Sequence, residues 1–293
     1  MAAVVAVANQ KGGVGKTFVA CQLSFYTARA GARTLLLELD QQMNASRSLI
    51  RGGRVAVAGF TMLDVLEGRE GVLPEGDLVL VPGHGGLGAL ERQPARHNDF
   101  VNALQRFLAA VGKDFAVCVM DTNPSPDVRY AAALATADFL LAPVQLNQEA
   151  IDGIESLMLH KRYGFFRMRE LLNPKLELIG ILPNLVEATP FQRANLQQLV
   201  LRHPGLLIPV VRGQAAGYAY VPTRTAIAEA QAAGVPLWEL RQTSPAEASP
   251  CDGVEGKVLQ GRSAMPLRSA ARDAWREIRP SFDAITARLL REV

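Results

Sequence analysis

The sequence has few of the residues from which disulfide frameworks and metal centres are built. Its 293 residues include three cysteines and four histidines. The cysteines are far apart and odd in number, which argues against a disulfide framework or a Cys-x-x-Cys metal site and fits a reducing compartment. The histidines share no ligand spacing, which argues against a metal site built from His and Cys. These residues are Cys21, Cys118, Cys251, His84, His97, His160 and His203.

Long apolar runs and a strong charge of one sign are also missing. No apolar run approaches the roughly 20 residues that a membrane helix needs. Residues 2–8 are apolar, but a glycine-rich turn follows directly and no basic segment precedes them, so we interpret them as a buried strand rather than a signal peptide. The net charge of +3 permits contact with nucleic acid without requiring it. We expect a cytoplasmic globular protein.

What the sequence does contain is a series of short apolar segments with helical segments between them. The segments are continuously apolar rather than alternating, which is typical of strands buried on both faces of a parallel sheet. Residues 16–30, ending at Gly31, and residues 98–111 have the spacing of helices. This alternation predicts an α/β fold, a doubly wound and mostly parallel sheet flanked by helices in a single domain. The predicted strands are residues 3–8, 34–39, 77–82, 115–121, 139–144, 176–183 and 207–211.

One stretch near the C-terminal end interrupts this alternation. Residues 242–266 are rich in proline and glycine and have little periodicity, so we interpret them as a mobile loop or insertion. Residues 267–278 and 280–293 have the pattern of two helices, with Pro280 suited to a first helical turn. We therefore divide the chain into a core of residues 1–241, the loop 242–266, and C-terminal helices in 267–293 that pack on the core.

The first apolar segment leads into the turn KGGVGKT at residues 11–17. The usual phosphate-loop pattern requires a glycine at position 10, where this chain has Gln10. The physical requirements are nevertheless met, because the glycines let successive backbone N–H groups point at phosphate oxygens and the helix that follows adds the positive end of its dipole. Lys16 can reach the β- and γ-phosphates, and the Thr17 hydroxyl can hold Mg²⁺. The residues predicted to bind nucleotide here are Gly12, Gly13, Val14, Gly15, Lys16, Thr17 and Phe18.

This turn resembles the deviant Walker A box of the ParA/MinD family of ATPases, most closely the short ParA-type DNA-partition proteins. The resemblance covers about 220 residues and implies the P-loop ATPase fold, with ATP and Mg²⁺ as ligands. It also implies a role for the additional lysine, Lys11, which in that family reaches across a dimer interface to the ATP of the other subunit. A homodimer with ATP is therefore expected, with Lys11 and Lys16 as catalytic residues.

Two further segments match the family at the ends of predicted strands. TLLLELDQQMNAS, at 34–46, resembles the strand and first switch loop, and it implies that Asp40 orients the attacking water near Mg²⁺. In this segment Glu38 replaces the usual aspartate, which we expect to be tolerated, while Gln41 and Met43 replace proline and glycine, which can alter turnover. FAVCVMDTNPSPD, at 115–127, resembles the second switch and implies that Asp121 contacts Mg²⁺ through water.

Later segments extend the resemblance to the nucleotide base. GILPNLVEAT, at 180–189, resembles the strand whose asparagine, here Asn184, reads the edge of the adenine. In YVPTRTAIAEAQAAGVPL, at 220–237, Pro222 is expected to flank the base. ADFLLAPVQLNQEAIDGI, at 137–154, and SAARDAWREIRPSFDAI, at 269–285, also match family segments.

The resemblance leaves three functions open. The first is a DNA-partition ATPase associated with the nucleoid, whose ATP-bound dimer binds DNA without sequence preference until a ParB-like partner stimulates hydrolysis. The second is a MinD-like membrane-positioning ATPase, for which the apolar face of residues 282–293 with two arginines is a weak anchor, so no stable membrane contact is expected. The third is a nucleotide-gated scaffold with negligible turnover. Candidate DNA contacts are Arg162, Arg167, Arg193, Arg202 and Arg224.

Overall fold

Seven parallel strands form the central sheet of this protein. The computed structural model describes residues 2–213, 215–241 and 269–291, except for the side chains of residues 148–152. The order of strands across the sheet is β3-β4-β2-β5-β1-β6-β7. The strands are β1 (Ala3–Val7), β2 (Thr34–Glu38), β3 (Ala56–Val57), β4 (Leu78–Val81), β5 (Val117–Asp121), β6 (Phe139–Val144) and β7 (Glu177–Pro183).

Helices cover both faces of this sheet, as the continuous apolar strands require. One face packs against α3 to α8 and the other against α1, α2, α9 and α10. The predicted α/β class and doubly wound sheet are confirmed. The helices are α1 (Lys16–Arg29), α2 (Asn44–Gly52), α3 (Met62–Leu66), α4 (His97–Val111), α5 (Val128–Thr136), α6 (Gln148–Leu159), α7 (Phe165–Leu171), α8 (Pro190–Arg202), α9 (Thr225–Ala233) and α10 (Ser269–Leu289).

Two sequence-based predictions about elements are wrong. Residues 207–211 do not add a strand to the central sheet. Instead β8 (Pro209–Arg212) pairs with β9 (Ala215–Tyr218) as an antiparallel hairpin, and the seventh strand of the sheet is the two-residue β3. Within the described residues 269–291 there is one helix where the sequence predicted parts of two, because α10 continues through Pro280. The proline lacks an N–H group, but its ring is tolerated here in a helix whose apolar face is held by the core.

The apolar face of α10 is buried against the sheet, as predicted. Phe282, Ile285 and Leu289 are fully buried in the same cluster as α1 and α9. Among the described residues, no helix combines the length and hydropathy that a membrane span requires. The proposed loop 242–266 and Val293 lie outside the described residues. The three-part division of the chain stays a prediction.

The parallel register brings three strand ends together at the carboxyl edge of the sheet. Val7 of β1 pairs with Asp121 of β5, and Glu38 of β2 pairs with Asp121 from the other side. The glycine-rich turn leaves β1 at this edge. Two acidic strand ends therefore lie beside the turn, at the place where open α/β sheets bind their ligands.

Candidate nucleotide-binding site

The turn after β1 has the backbone of a phosphate-binding loop. Gly13 and Gly15 have φ angles of 74° and 81°, in the left-handed region that favours glycine. A Cβ atom on Gly15 would also lie 2.1 Å from Asn184 Nδ2. Gly15 precedes the first turn of α1, so the positive end of the helix dipole faces the loop. The glycines and the helix thus have the arrangement that anion binding requires.

Side chains from the rest of the site hold the carbonyl groups of this loop. Lys16 Nζ donates to Lys11 O at 2.9 Å, Gln145 Nε2 to Gly13 O at 3.1 Å, and Asn184 Nδ2 to Val14 O at 2.7 Å. These carbonyl groups already accept hydrogen bonds, and successive N–H groups of a turn of this conformation form a concavity that binds anions. The loop is therefore built to present donors to an anion.

Lys16 is the cation at the centre of this site. Its side chain is almost buried, and this burial lowers the pKa of the ammonium group, although the charges of Asp121 and Asp40 oppose the change. Lys11 lies at the outer edge of the same loop and is partly exposed, with its N–H donating to Asn9 Oδ1 at 2.9 Å. The two lysines predicted from the sequence thus occupy different environments.

Asp121 is a buried carboxylate whose charge is poorly compensated. It is fully buried, and neither oxygen has a hydrogen-bond partner of ordinary geometry among the described residues. Burial and the negative charges of Glu38 and Asp40 raise its pKa well above the usual value, while the Thr17 hydroxyl and the Lys16 ammonium act in the opposite direction. An unpartnered pair of oxygens beside a hydroxyl and a second acid fits a hydrated divalent cation.

The carboxylates alone do not form a complete metal site. Within the described part of the chain, no group of three or more His, Cys, Asp or Glu side chains has metal-binding geometry. A cation here would take most of its ligands from water and a bound phosphate, which is the usual coordination of Mg²⁺ in nucleotide sites. The residues therefore fit Mg²⁺ that arrives with a nucleotide.

Asp40 lies in the loop between β2 and α2. Its side chain is largely buried, and Oδ1 accepts a hydrogen bond from Gln42 N at 2.9 Å. Met43, at the end of this loop, has φ 55° and ψ 38°, a left-handed conformation. Met43 thus has the left-handed backbone conformation that a glycine would favour at this position.

We expect Met43→Gly to stabilise the nucleotide-free protein by about 0.5–1 kcal/mol. A non-glycine residue in the left-handed region costs about 1–2 kcal/mol, of which the greater entropy of glycine in the unfolded chain cancels a part. Urea unfolding with an unchanged m value measures the difference. Met43→Ala is the matched control, because alanine keeps the Cβ atom and gives no such gain. A destabilised glycine variant would contradict the argument.

The residues predicted to contact the base lie next to the phosphate loop. Asn184 is fully buried and its Nδ2 is engaged by Val14 O, while its Oδ1 has no hydrogen-bond partner within the described residues. Pro222 is buried and paired with Val186 just beyond β7. Val14 and Phe18 are buried, whereas Gly12 and Gly13 are exposed. The structure brings these residues together, and their contacts with a base stay a prediction.

The candidate DNA-contacting arginines do not lie in one helical layer. Arg162, Arg167, Arg193 and Arg202 belong to the region of α6 to α8, whereas Arg224 precedes α9 on the other face of the sheet. Two of them are ion-paired: Arg167 with Glu170 at 3.1 Å and Arg224 with Glu277 at 2.8 Å. Arg162 lies over the ring of Tyr163. The five arginines therefore do not form a single basic surface.

Several residues of the site were not predicted from the sequence. Asn9 Nδ2 donates to Pro143 O at 2.8 Å, which joins the start of the loop to the end of β6. Gln145, directly after β6, donates to Gly13 O. Glu38, at the end of β2, accepts a hydrogen bond from Ala45 N. Asn9 lies two residues before the glycine-rich turn of residues 11–17, so its position was a usable signal. Gln145 carried no such signal, because its contact depends on the β1–β6 pairing.

Comparisons with known proteins agree with this geometry. A family model described as an AAA domain matches residues 2–178. The chain is 31% identical to the chromosome-partitioning ATPase Soj of Thermus thermophilus over 241 residues, which covers 82% of this chain and 89% of Soj. It is 32% identical to Protein IncC of Escherichia coli over 246 residues, which covers 83% of this chain and 64% of IncC. The chain thus spans less than two thirds of the length of IncC.

A solved structure also resembles the chain. It is that of cobyrinic acid a,c-diamide synthase from Mycobacterium smegmatis with bound ADP and magnesium. The two proteins are 27% identical and superpose with a TM-score of 0.62, over 80% of this chain and 90% of the other. The similarity therefore extends from the sequence to the arrangement of the sheet and helices.

Proposed function

This chain belongs to the ParA-type family of ATPases, and from that premise we propose that it is a Mg²⁺-dependent ATPase that acts in DNA partition. The observation that carries the proposal is the glycine-rich loop, whose carbonyls accept hydrogen bonds from Lys16, Gln145 and Asn184 and which lies beside the carboxylates of two strand ends. Partition is proposed rather than another use of ATP because Soj, whose length is largely covered, is a chromosome-partitioning ATPase.

The residues divide the binding of ATP and Mg²⁺ among them. Bound Mg²⁺ would offset the negative charge of the phosphates and orient them. Thr17 would hold the ion directly, with Asp40 and Asp121 contacting it through water. Asp40 would also orient the attacking water, while Asn184 and Pro222 contact the base. The backbone and side chains that bind the phosphates are those of Gly12, Gly13, Val14, Gly15, Lys16, Thr17 and Phe18.

The position of Lys11 supports a homodimer as the active form of the proposed ATPase. It lies at the exposed edge of the loop, whereas Lys16 already occupies the interior of its own site. Two copies facing each other across the carboxyl edge of the sheet would place each Lys11 near the γ-phosphate of the other copy. A cation supplied in trans stabilises the charge that develops during phosphoryl transfer.

The proposed dimer would bind DNA without sequence preference, through phosphate contacts, until a ParB-like partner triggers hydrolysis. The unequal surroundings of the arginines favour Arg162, Arg193 and Arg202 over Arg167 and Arg224, whose charges are partly neutralised by ion pairs. Burial of the α10 apolar face favours DNA over a membrane as the second ligand.

One set of measurements tests this function. With Mg²⁺ and ATP, but not ADP, we expect a dimer by size exclusion, and DNA binding by that dimer that weakens steeply between two salt concentrations. We expect DNA and a partner to stimulate ATP hydrolysis, and Asp40→Ala to lower turnover by at least about ten-fold while dimer formation persists. Binding to anionic liposomes instead of DNA would refute partition. Dimerisation and DNA binding without measurable turnover would replace the ATPase with a nucleotide-gated scaffold.

An Asp40→Ala variant that hydrolyses ATP as fast as the parent would show that the catalytic assignment is wrong. Glu239→Gln serves as the matched surface control, because the Glu239 side chain is exposed and forms an ion pair with the exposed Arg54. Surface pairs of this kind contribute little to stability, so this variant should behave as the parent does.

A further inference from the structure

The side chain of Glu38 joins three segments of the site. It is fully buried at the end of β2. Its Oε1 accepts a hydrogen bond from Ala45 N at 2.7 Å, and its Oε2 accepts from Ser46 N at 2.9 Å and from Gly83 N at 3.3 Å. The Ser46 hydroxyl also donates to Oε2. Both carboxylate oxygens are therefore occupied by donors from other segments.

Two of these donors are amide groups in the first turn of α2. Such groups have no partner within their own helix, and an acceptor for them normally comes from the residue that caps the helix. The residue at the cap position of α2 is Met43, which has no side-chain acceptor. Glu38 supplies the missing acceptor from the neighbouring strand, and its negative charge also complements the positive end of the helix dipole.

The loop that carries Asp40 lies between Glu38 and the helix that Glu38 caps. Leu39 N donates to Asp121 O at 2.9 Å on one side of this loop, and Met43 N donates to Asp40 O at 3.2 Å within it. Gly83 closes the third side, since a Cβ atom there would lie 2.8 Å from Asp40 O. Two of the segments next to the Asp40 backbone, Gly83 and the first turn of α2, are therefore bonded to Glu38.

We propose that Glu38 is a positioning residue that fixes the Asp40 loop by capping α2 and binding Gly83. The inference rests on the proposed function, because Asp40 is there assigned to orient the attacking water. Glu38 need not touch nucleotide or Mg²⁺ for this role. The length of its side chain is as important as its charge, because the Cα atom is fixed by pairing of β2 with β5. A side chain shorter by one carbon would withdraw the carboxylate by about 1.5 Å, beyond hydrogen-bond distance.

Three variants separate capping from charge. Glu38→Gln keeps the length but offers one acceptor oxygen and directs N–H groups at N–H donors. Glu38→Asp keeps the charge but not the reach. Ser46→Ala removes the hydroxyl that donates to Glu38 Oε2 and accepts from Gly83 N at 3.1 Å, but it leaves the hydrogen bonds from Ala45 N and Ser46 N to Glu38 intact. Glu239→Gln is the control for exchanging a carboxylate that has no role in the site.

The first readout is amide hydrogen exchange at Ala45, Ser46 and Gly83 in the nucleotide-free protein. We expect exchange about ten-fold faster or more in both Glu38 variants, since a hydrogen bond to a charged acceptor is lost, and a smaller effect in Ser46→Ala. The second readout separates kcat from the affinity for ATP. We expect kcat to fall about ten-fold or more in both Glu38 variants, while the Kd for ATP changes by less than about three-fold.

The outcomes distinguish this inference from the function on which it rests. If the parent neither binds nor hydrolyses ATP, the proposed function is wrong, and the exchange data alone decide whether Glu38 caps the helix. If the parent is active and Glu38→Gln turns over at the same rate with unchanged exchange, the positioning role is refuted. Full activity in Glu38→Asp with loss in Glu38→Gln would assign the effect to charge and also refute it. Should Glu38→Gln fail to fold, Glu38→Asp and Ser46→Ala give the same decision.

Discussion

Replacement of Lys16 by methionine is expected to weaken ATP binding by at least about 100-fold. The Lys16 ammonium is largely withdrawn from water and lies against the loop, where it donates to Lys11 O, so it would pair with phosphate in an environment of low dielectric constant. Removing one partner of a buried charge pair costs about 3–5 kcal/mol, which corresponds to about two to four orders of magnitude in Kd. Titration with a fluorescent ATP analogue measures this change.

The matched variant is Lys11→Met, which changes the same residue type five residues earlier in the loop. Because Lys11 is assigned to the nucleotide of the other subunit, the affinity of a single subunit for ATP should change by less than about three-fold, whereas dimer formation and turnover are lost. Urea unfolding of both variants confirms that each remains folded. Equal losses of ATP affinity in the two variants would place both lysines on the same nucleotide and contradict the assignment in trans.

The phosphate loop was predictable because its information is local. Glycines at 13 and 15 permit left-handed backbone, an apolar strand precedes them and a helix follows, and each of these features is contained in about 25 consecutive residues. The positions of Asp121 at the end of β5 and of Asp40 two residues beyond the end of β2 were predictable for a related reason. Continuous apolar segments end abruptly at an acid, and parallel strands bring their carboxyl ends to one edge.

The contacts that complete the site depend on pairings that no local pattern records. Glu38 was recognised only as a replacement for another acid, although it caps a helix that begins six residues later. The two-residue β3 is too short to have a period, and it forms because β4 offers a free edge. Pro280 suggested the start of a helix, but packing of the α10 apolar face outweighs that local preference.

The surface available to DNA could not be predicted from the sequence alone. The five candidate arginines lie in two helical layers, and two of them form ion pairs. Arg167 pairs with Glu170 three residues later, and Arg224 pairs with the distant Glu277. The ion pair of Arg224 with Glu277 spans 53 residues and depends on α10 packing beside α9. A count of basic residues predicts a charged surface, whereas the surface that is available to DNA is decided by these tertiary contacts.

Asp121→Asn is expected to act in opposite directions with and without nucleotide. In the nucleotide-free protein the buried Asp121 carboxylate lacks hydrogen-bond partners within the described residues and lies near the charges of Glu38 and Asp40. Removing a buried charge that is poorly compensated, by an exchange that preserves shape, should stabilise the fold by about 1–3 kcal/mol at neutral pH. The same change removes a contact with hydrated Mg²⁺, so the stabilisation that Mg²⁺ and ATP give to the parent should largely disappear.

The pH dependence of stability tests independently whether Asp121→Asn stabilises the nucleotide-free protein. Because burial and neighbouring charges raise the pKa of Asp121, the folded parent retains a proton that the unfolded chain has already lost. The contribution of Asp121 to the free energy of unfolding of the parent therefore falls as pH rises from the ordinary aspartate pKa, near 4, through the raised pKa. The advantage of the asparagine variant should be largest above that window and vanish below it.

Asp127→Asn is the matched control for a buried carboxylate whose partners are present. Asp127 forms an ion pair with Arg129 at 2.5 Å and accepts hydrogen bonds from Asn123 Nδ2 and from the first turn of α5. The same substitution there removes the charge that compensates buried Arg129, although asparagine can still cap α5, so it should destabilise the nucleotide-free protein by about 1–3 kcal/mol. Thermal and urea unfolding of both variants, with and without Mg²⁺ and ATP, measure the contrast. If Asp121→Asn destabilised the nucleotide-free protein as Asp127→Asn does, Asp121 would have to be a partnered structural acid, and its assignment to the cation would lose its physical basis.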